Sequence, residues 1–154
     1  MLAQIRKEKT EQLESEVNAD GIKIFLPKAW TLEYEFAGSG LYRWLETAIR
    51  AAKKEAANQE QEITDEVLKN LWNEVINDYP EGNTPTKEVV YKIFEPLNEG
   101  TVSKAITAQY LAGMLAGELA PISDGTVNRD EVKSIVENDD KLKYLVEAIK
   151  YVTE

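Results

Sequence analysis

The stretch Ile22-Lys-Ile-Phe-Leu-Pro-Lys-Ala-Trp-Thr-Leu-Glu-Tyr-Glu35 decides how the rest of the chain is read. Ile22 to Leu26 is β-branched or aromatic at three of five positions and lies between Gly21 and Pro27, a pattern that predicts a short strand. Thr31 then stands where a helix N-cap belongs, which puts Glu33 in the first turn of the following helix. A carboxylate delivered to a turn by a strand is placed as a site residue would be. A glutamate in a first turn also complements the helix dipole without any further role, so the two readings start level.

A lone strand leaves its backbone donors and acceptors unpaired, and the remaining sequence offers no convincing second strand. The expectation is that it pairs with another chain, or that residues 1–154 are part of something larger whose sheet lies elsewhere.

Outward from this stretch the pattern is helical. Residues 2–18 are rich in Glu, Lys and Gln, and Leu2, Ile5, Lys9, Leu13 and Val17 trace a narrow stripe before Asn18-Ala-Asp-Gly21 stops it. Leu41, Trp44, Leu45, Ala48, Ile49 and Ala52 follow amphipathic spacing, and Asn58-Gln-Glu-Gln-Glu62 breaks that helix off. Thr64 caps a helix carrying Leu68, Leu71, Trp72 and Val75, which ends near Pro80. Pro85 opens another, expected to run through Phe94 and to close at Pro96 and Gly100. Residues 101–119 read as a long Ala- and Gly-rich helix, the expected centre of the fold, and two more helices follow at about 128–137 and 139–152.

The chain has 154 residues, 43% apolar and 30% charged, which suits one compact domain. It carries 18 Lys plus Arg against 28 Asp plus Glu, a net charge of −10. Such a field repels phosphate backbones, so any nucleic-acid contact has to be local or supplied by other parts. Cysteine and histidine are both absent, which removes disulfides, thiolate nucleophiles, the usual zinc ligands and the imidazole base. Carboxylate, lysine, hydroxyl and hard divalent cations remain. No segment approaches the ~18 apolar residues of a membrane span and the N-terminus lacks a signal-peptide core, so the expected location is cytoplasmic, with no membrane partner.

Three segments carry a family resemblance: Trp30-Thr-Leu-Glu-Tyr-Glu35, Thr101-Val-Ser-Lys-Ala-Ile-Thr-Ala-Gln-Tyr-Leu-Ala112, and the terminal Asp140-Lys-Leu-Lys-Tyr-Leu-Val-Glu-Ala-Ile-Lys-Tyr-Val152. In order and rough spacing they resemble the C-terminal part of the TOPRIM nuclease domain of OLD-family ATP-dependent endonucleases. The likeness spans about Ile22 to Val152, with nothing diagnostic between 55 and 100. It implies a mainly α chain of six to seven helices with one short β-strand, the C-terminal portion of a TOPRIM-type α/β region. Residues 1–20 then form an exposed N-terminal helix and 21–154 a single helical domain.

The resemblance further implies that Glu33 supplies a carboxylate to a divalent-metal site, Mg²⁺ or Mn²⁺, and that Lys104 lies beside it and offsets charge in phosphodiester cleavage. Such chemistry clamps the attacking and leaving oxygens between two metals about 4 Å apart, with a nearby ammonium balancing negative charge. The family also needs an upstream glutamate and an Asp-x-Asp pair, and no Asp-x-Asp occurs here. A Gly-x-x-x-x-Gly-Lys-Ser/Thr phosphate loop is likewise missing, so ATP would be bound only by a domain outside this chain. The chain is therefore expected to be a fragment that meets DNA only through the complete enzyme, binds no metal by itself, does not cut alone and is monomeric.

Plainer readings stand beside these. A lysine in a first helical turn is usually just solvated, and Glu35 is expected to face water. Trp30, Trp44 and Trp72 read as core or docking anchors rather than base-stacking platforms. Asp124-Gly-Thr-Val-Asn-Arg-Asp-Glu131 imitates the latter part of an EF-hand loop, but Ala120 and Ile122 occupy its first and third ligand positions, so a capped turn is expected. The alternative function is an acidic helical interaction module without catalysis.

Overall fold

The structure is a computed structural model that describes residues 2–17, 23–27, 31–58, 62–80, 82 and 84–153. Ile22, Trp30, the stop signal at 18–21 and most of the polar break at 58–62 lie outside the described residues, as do the side chains of Leu2, Leu13 and Val17. The described residues are mainly helical and contain no strand. Residues 23–26, expected within the short strand, have no regular secondary structure, and neither has Pro27. The physical reason is the one the sequence raised: among the described residues there is no second strand to accept or donate ladder hydrogen bonds.

Two compact units are formed, one by residues 1–26 with 144–154 and the other by 27–143. In the first, helix α1 (Leu2–Val17) carries a surface pair, Lys7 to Glu11 at 3.9 Å, and helix α8 (Lys143–Thr153) supplies Tyr151. The Tyr151 ring meets Phe25 at 5.7 Å, and Lys23 Nζ stands over both rings at 5.2 and 5.9 Å. Aromatic and cation–π contacts thus tie the irregular 23–26 segment to α8.

The larger unit is organised by helix α3 (Tyr42–Ala57), which packs against α2 (Leu32–Gly38), α4 (Asp65–Asp78), α5 (Lys87–Asn98) and α6 (Lys104–Leu115). The helix expected at the centre was the Ala- and Gly-rich one, α6. Instead α3 holds that place, because its large apolar residues recur all along one broad face: Tyr42, Leu45, Ile49 and Ala52 pack with Val90, Ile93, Phe94 and Leu97 of α5. On another side Trp44 lies 4.7 Å from Trp72 of α4, both buried, so these two indoles are core anchors. Arg50 fastens α3 to α4, donating to Glu46 at 3.0 Å and to Asp78 at 2.7 Å.

Helix ends follow local chemistry. Thr31, Thr64, Thr86, Ser103 and Asn128 each accept a backbone N–H from the first turn of the helix they precede. Helix α5 runs through Pro96 to Asn98 rather than stopping at the proline. A proline in the last turn removes only one ladder bond, and the Pro96 carbonyl is taken up by Val102 N–H at 3.3 Å and the Thr101 hydroxyl at 3.2 Å. The EF-hand-like segment is a capped turn: Asp124 Oδ1 accepts Thr126 N–H at 2.9 Å, and Asn128 caps helix α7 (Arg129–Asn138). Lys69 of α4 reaches Asp124 at 3.6 Å.

Candidate functional site

Helix α2 is only two turns long, and Thr31 fixes where it starts by accepting Tyr34 N–H at 3.3 Å. Its end is set by Ser39, whose hydroxyl donates to the Phe36 carbonyl at 2.9 Å. Between these anchors Glu33 is held in the first turn. The start of α6 is fixed in the same way, with Ser103 accepting Ile106 N–H at 3.3 Å and Thr107 Oγ1 donating back to the Ser103 carbonyl at 2.8 Å. Lys104 is the first residue of that helix.

Because α2 and α6 both lie on α3, these two helix starts come together. Lys104 Nζ stands 3.5 Å from Glu33 Oε1, with the glutamate side chain 29% and the lysine 53% exposed. Burial on its own pushes the Glu33 carboxyl up. Hydrogen bonds from its own backbone N–H and the Thr31 hydroxyl, together with the Lys104 ammonium, outweigh that and hold it below the usual carboxylate value.

Glu35 does not share this position. It was expected to face water, yet it is 2% exposed. Two residues along a helix turn the side chain by about 200°, so Glu35 leaves α2 on a different side from Glu33, and that side is buried.

The Glu33–Lys104 pair stands at one end of a cavity of about 280 Å³. Its long wall is a stripe of α6: Thr107, Ala108, Leu111, Ala112 and Leu115 follow Lys104 at helical spacing. Leu32 and Phe36 of α2 face them, and Leu45 and Leu97 line the remaining side. The sequence reading singled out Glu33 and Lys104 but not this apolar groove. Its one signal was the composition of α6, which is apolar on every face.

Among the described residues no group of three or more Asp or Glu side chains is gathered where a metal ion could be held. Glu33 is a single oxygen ligand, whereas Mg²⁺ takes an octahedral set. The described residues therefore do not themselves fit a resident cation, and what they offer is one carboxylate and one ammonium beside an apolar groove. Among them, too, no helix is long and apolar enough to cross a membrane. No family model matches the chain, and neither a curated protein nor a solved structure matches it.

Proposed function

We propose that residues 1–154 are the C-terminal part of an OLD-family, ATP-dependent and divalent-metal-dependent DNA endonuclease, within a TOPRIM-type region. In this reading Glu33 is one carboxylate of a metal site whose other ligands lie outside the chain. Lys104 offsets negative charge at the phosphodiester. The observation that carries the reading is the 3.5 Å approach of Lys104 Nζ to Glu33 Oε1, since these are the carboxylate and the ammonium that the resemblance implies lie side by side. An exposed ammonium at the mouth of a low-dielectric groove is well suited to a phosphate oxygen. The field of the chain as a whole, at −10, is not, so DNA contact depends on the missing ATPase and N-terminal TOPRIM segments, and the chain alone is inactive.

The test is the complete reading frame around these residues. It should contain a phosphate loop and an Asp-x-Asp upstream, and its product should nick supercoiled DNA with Mg²⁺ or Mn²⁺. Glu33→Ala and Lys104→Ala should each abolish nicking. Undiminished nicking by Glu33→Ala would overturn the assignment. A frame that starts at Met1 would do the same and leave the acidic interaction module, which the apolar groove favours, as the function.

A further inference from the structure

Arg43, in the first turn of α3, has donors that the fold leaves unused. Its Nε and Nη2 are both buried without a hydrogen-bond partner, and among the described residues no other lysine or arginine has a buried nitrogen in that state. What sets it apart from the other cations of the chain is therefore its unpaired edge and not its charge. Burying a charge is costly unless a partner replaces the solvation it loses. The Tyr42 ring lies 5.9 Å from Cζ, and that cation–π contact uses neither N–H.

The two free atoms belong together. Nε and Nη2 point parallel N–H groups along one edge of the guanidinium, the edge that a carboxylate or phosphate takes with two oxygens at once. Two cavities lie at this end of α3, and the carboxylate lining each is bonded elsewhere. Asp139 accepts Gly40 N–H at 2.7 Å and Lys141 N–H at 3.0 Å, and Asp78 accepts Arg50 at 2.7 Å. Gly82 covers the outer end of the guanidinium: a Cβ there would meet Nη1 at 3.3 Å and Nη2 at 3.5 Å. The same glycine lines the larger cavity, of about 420 Å³, together with Gly40, Thr84, Ser134 and Asn138. The wall between guanidinium and cavity is there one residue without a side chain.

We propose that the Nε–Nη2 edge of Arg43 binds an oxyanion, a carboxylate or phosphate group that enters through this cavity, where the hydroxyls of Thr84 and Ser134 meet its remaining oxygens. The anion supplies two charge-assisted hydrogen bonds and the counter-charge that the described residues do not. Neither Glu33 nor Lys104 takes part, so the site stands whether or not the nuclease reading does.

The experiment is thermal unfolding of the 154-residue chain at neutral pH and equal ionic strength in sodium chloride, sodium phosphate and sodium acetate. Phosphate or acetate should raise the melting temperature by several degrees over chloride, and whichever does so identifies the group bound. Arg43→Met should melt higher than the unsubstituted chain in chloride, because it removes an unpaired buried charge, and should lose the gain from the anion. Arg43→Lys keeps the charge without the planar fork, so the anion concentration for half the gain should rise about tenfold. Gains equal in the unsubstituted chain and Arg43→Met, no gain with either anion, or undiminished affinity in Arg43→Lys would each overturn the proposal.

Discussion

Lys104 Nζ lies 3.5 Å from Glu33 Oε1, so the first residue of one helix is ion-paired to the first turn of another that is remote in sequence. The pair and the Thr31 cap together keep the Glu33 carboxyl below its usual value of 4.5. An acid whose folded pKa is depressed adds stability above the unfolded value and loses it as pH falls through the folded one. The urea midpoint should therefore drop on acidification below about pH 4.5, and Glu33→Gln should flatten part of that slope. At neutral pH Lys104→Met should cost less than about 1 kcal/mol, as expected for a half-exposed pair. An unchanged acid slope in Glu33→Gln would show that the carboxylate is not held as described.

Tyr110 of α6 donates its hydroxyl to Glu55 Oε2 of α3 at 2.7 Å. Burial first, then the hydrogen bond to Glu55 and its negative charge, raise the phenol from 10.0 to about 12. Ultraviolet titration should resolve one tyrosine ionising near pH 12, and Glu55→Gln should move it back toward 10. Because the folded pKa is the higher, this group's contribution to stability is complete below pH 10 and disappears between 10 and about 12.

Asp65, in the first turn of α4, accepts Ala120 N–H at 3.0 Å through one oxygen and the Ser123 hydroxyl at 3.0 Å through the other. Ala120 is fully buried. Asp65→Ala should thus strand a buried donor and cost about 1–3 kcal/mol by chemical denaturation. Ser123→Ala, which removes only an exposed partner, should cost much less.

Gly117 follows α6 with φ +78°, and a Cβ there would run into the Arg129 guanidinium. Arg129 in turn donates to the Ala116 carbonyl at 2.9 Å, closing the end of α6. Gly117→Ala should destabilise by about 1–2 kcal/mol through backbone strain and displacement of that arginine. Gly125→Ala, at φ +77° but with nothing near its Cβ position, should show the strain alone and a smaller loss of melting temperature.

Much of the helical pattern was legible in the sequence because it rests on neighbours. The caps at Thr31 and Thr64 and the amphipathic spacing of Leu45, Ile49 and Ala52 are decided within a turn or two of chain. Departures came where distant chain decides. Glu35 is as polar as Glu33, and nothing local says that its side of α2 is buried. Helix α6 looks central by composition, yet only the arrangement of its neighbours reveals that one of its faces stays open. Pro96 is a reliable stop signal in general, yet α5 continues past it, with the Pro96 carbonyl taken up by donors from Thr101 and Val102, after the helix.

By itself the sequence determined a mainly helical, strongly acidic chain without thiol or imidazole chemistry, and it put Glu33 and Lys104 each at the start of a helix. Periodicity and capping are local properties, written in residues three and four apart. Only the tertiary structure decided that the carboxylate and the ammonium meet at the end of an apolar groove. That meeting requires α2 and α6 to lie on the same helix, α3, with particular faces inward, and the choice is made by the side-chain packing of residues far apart in the chain.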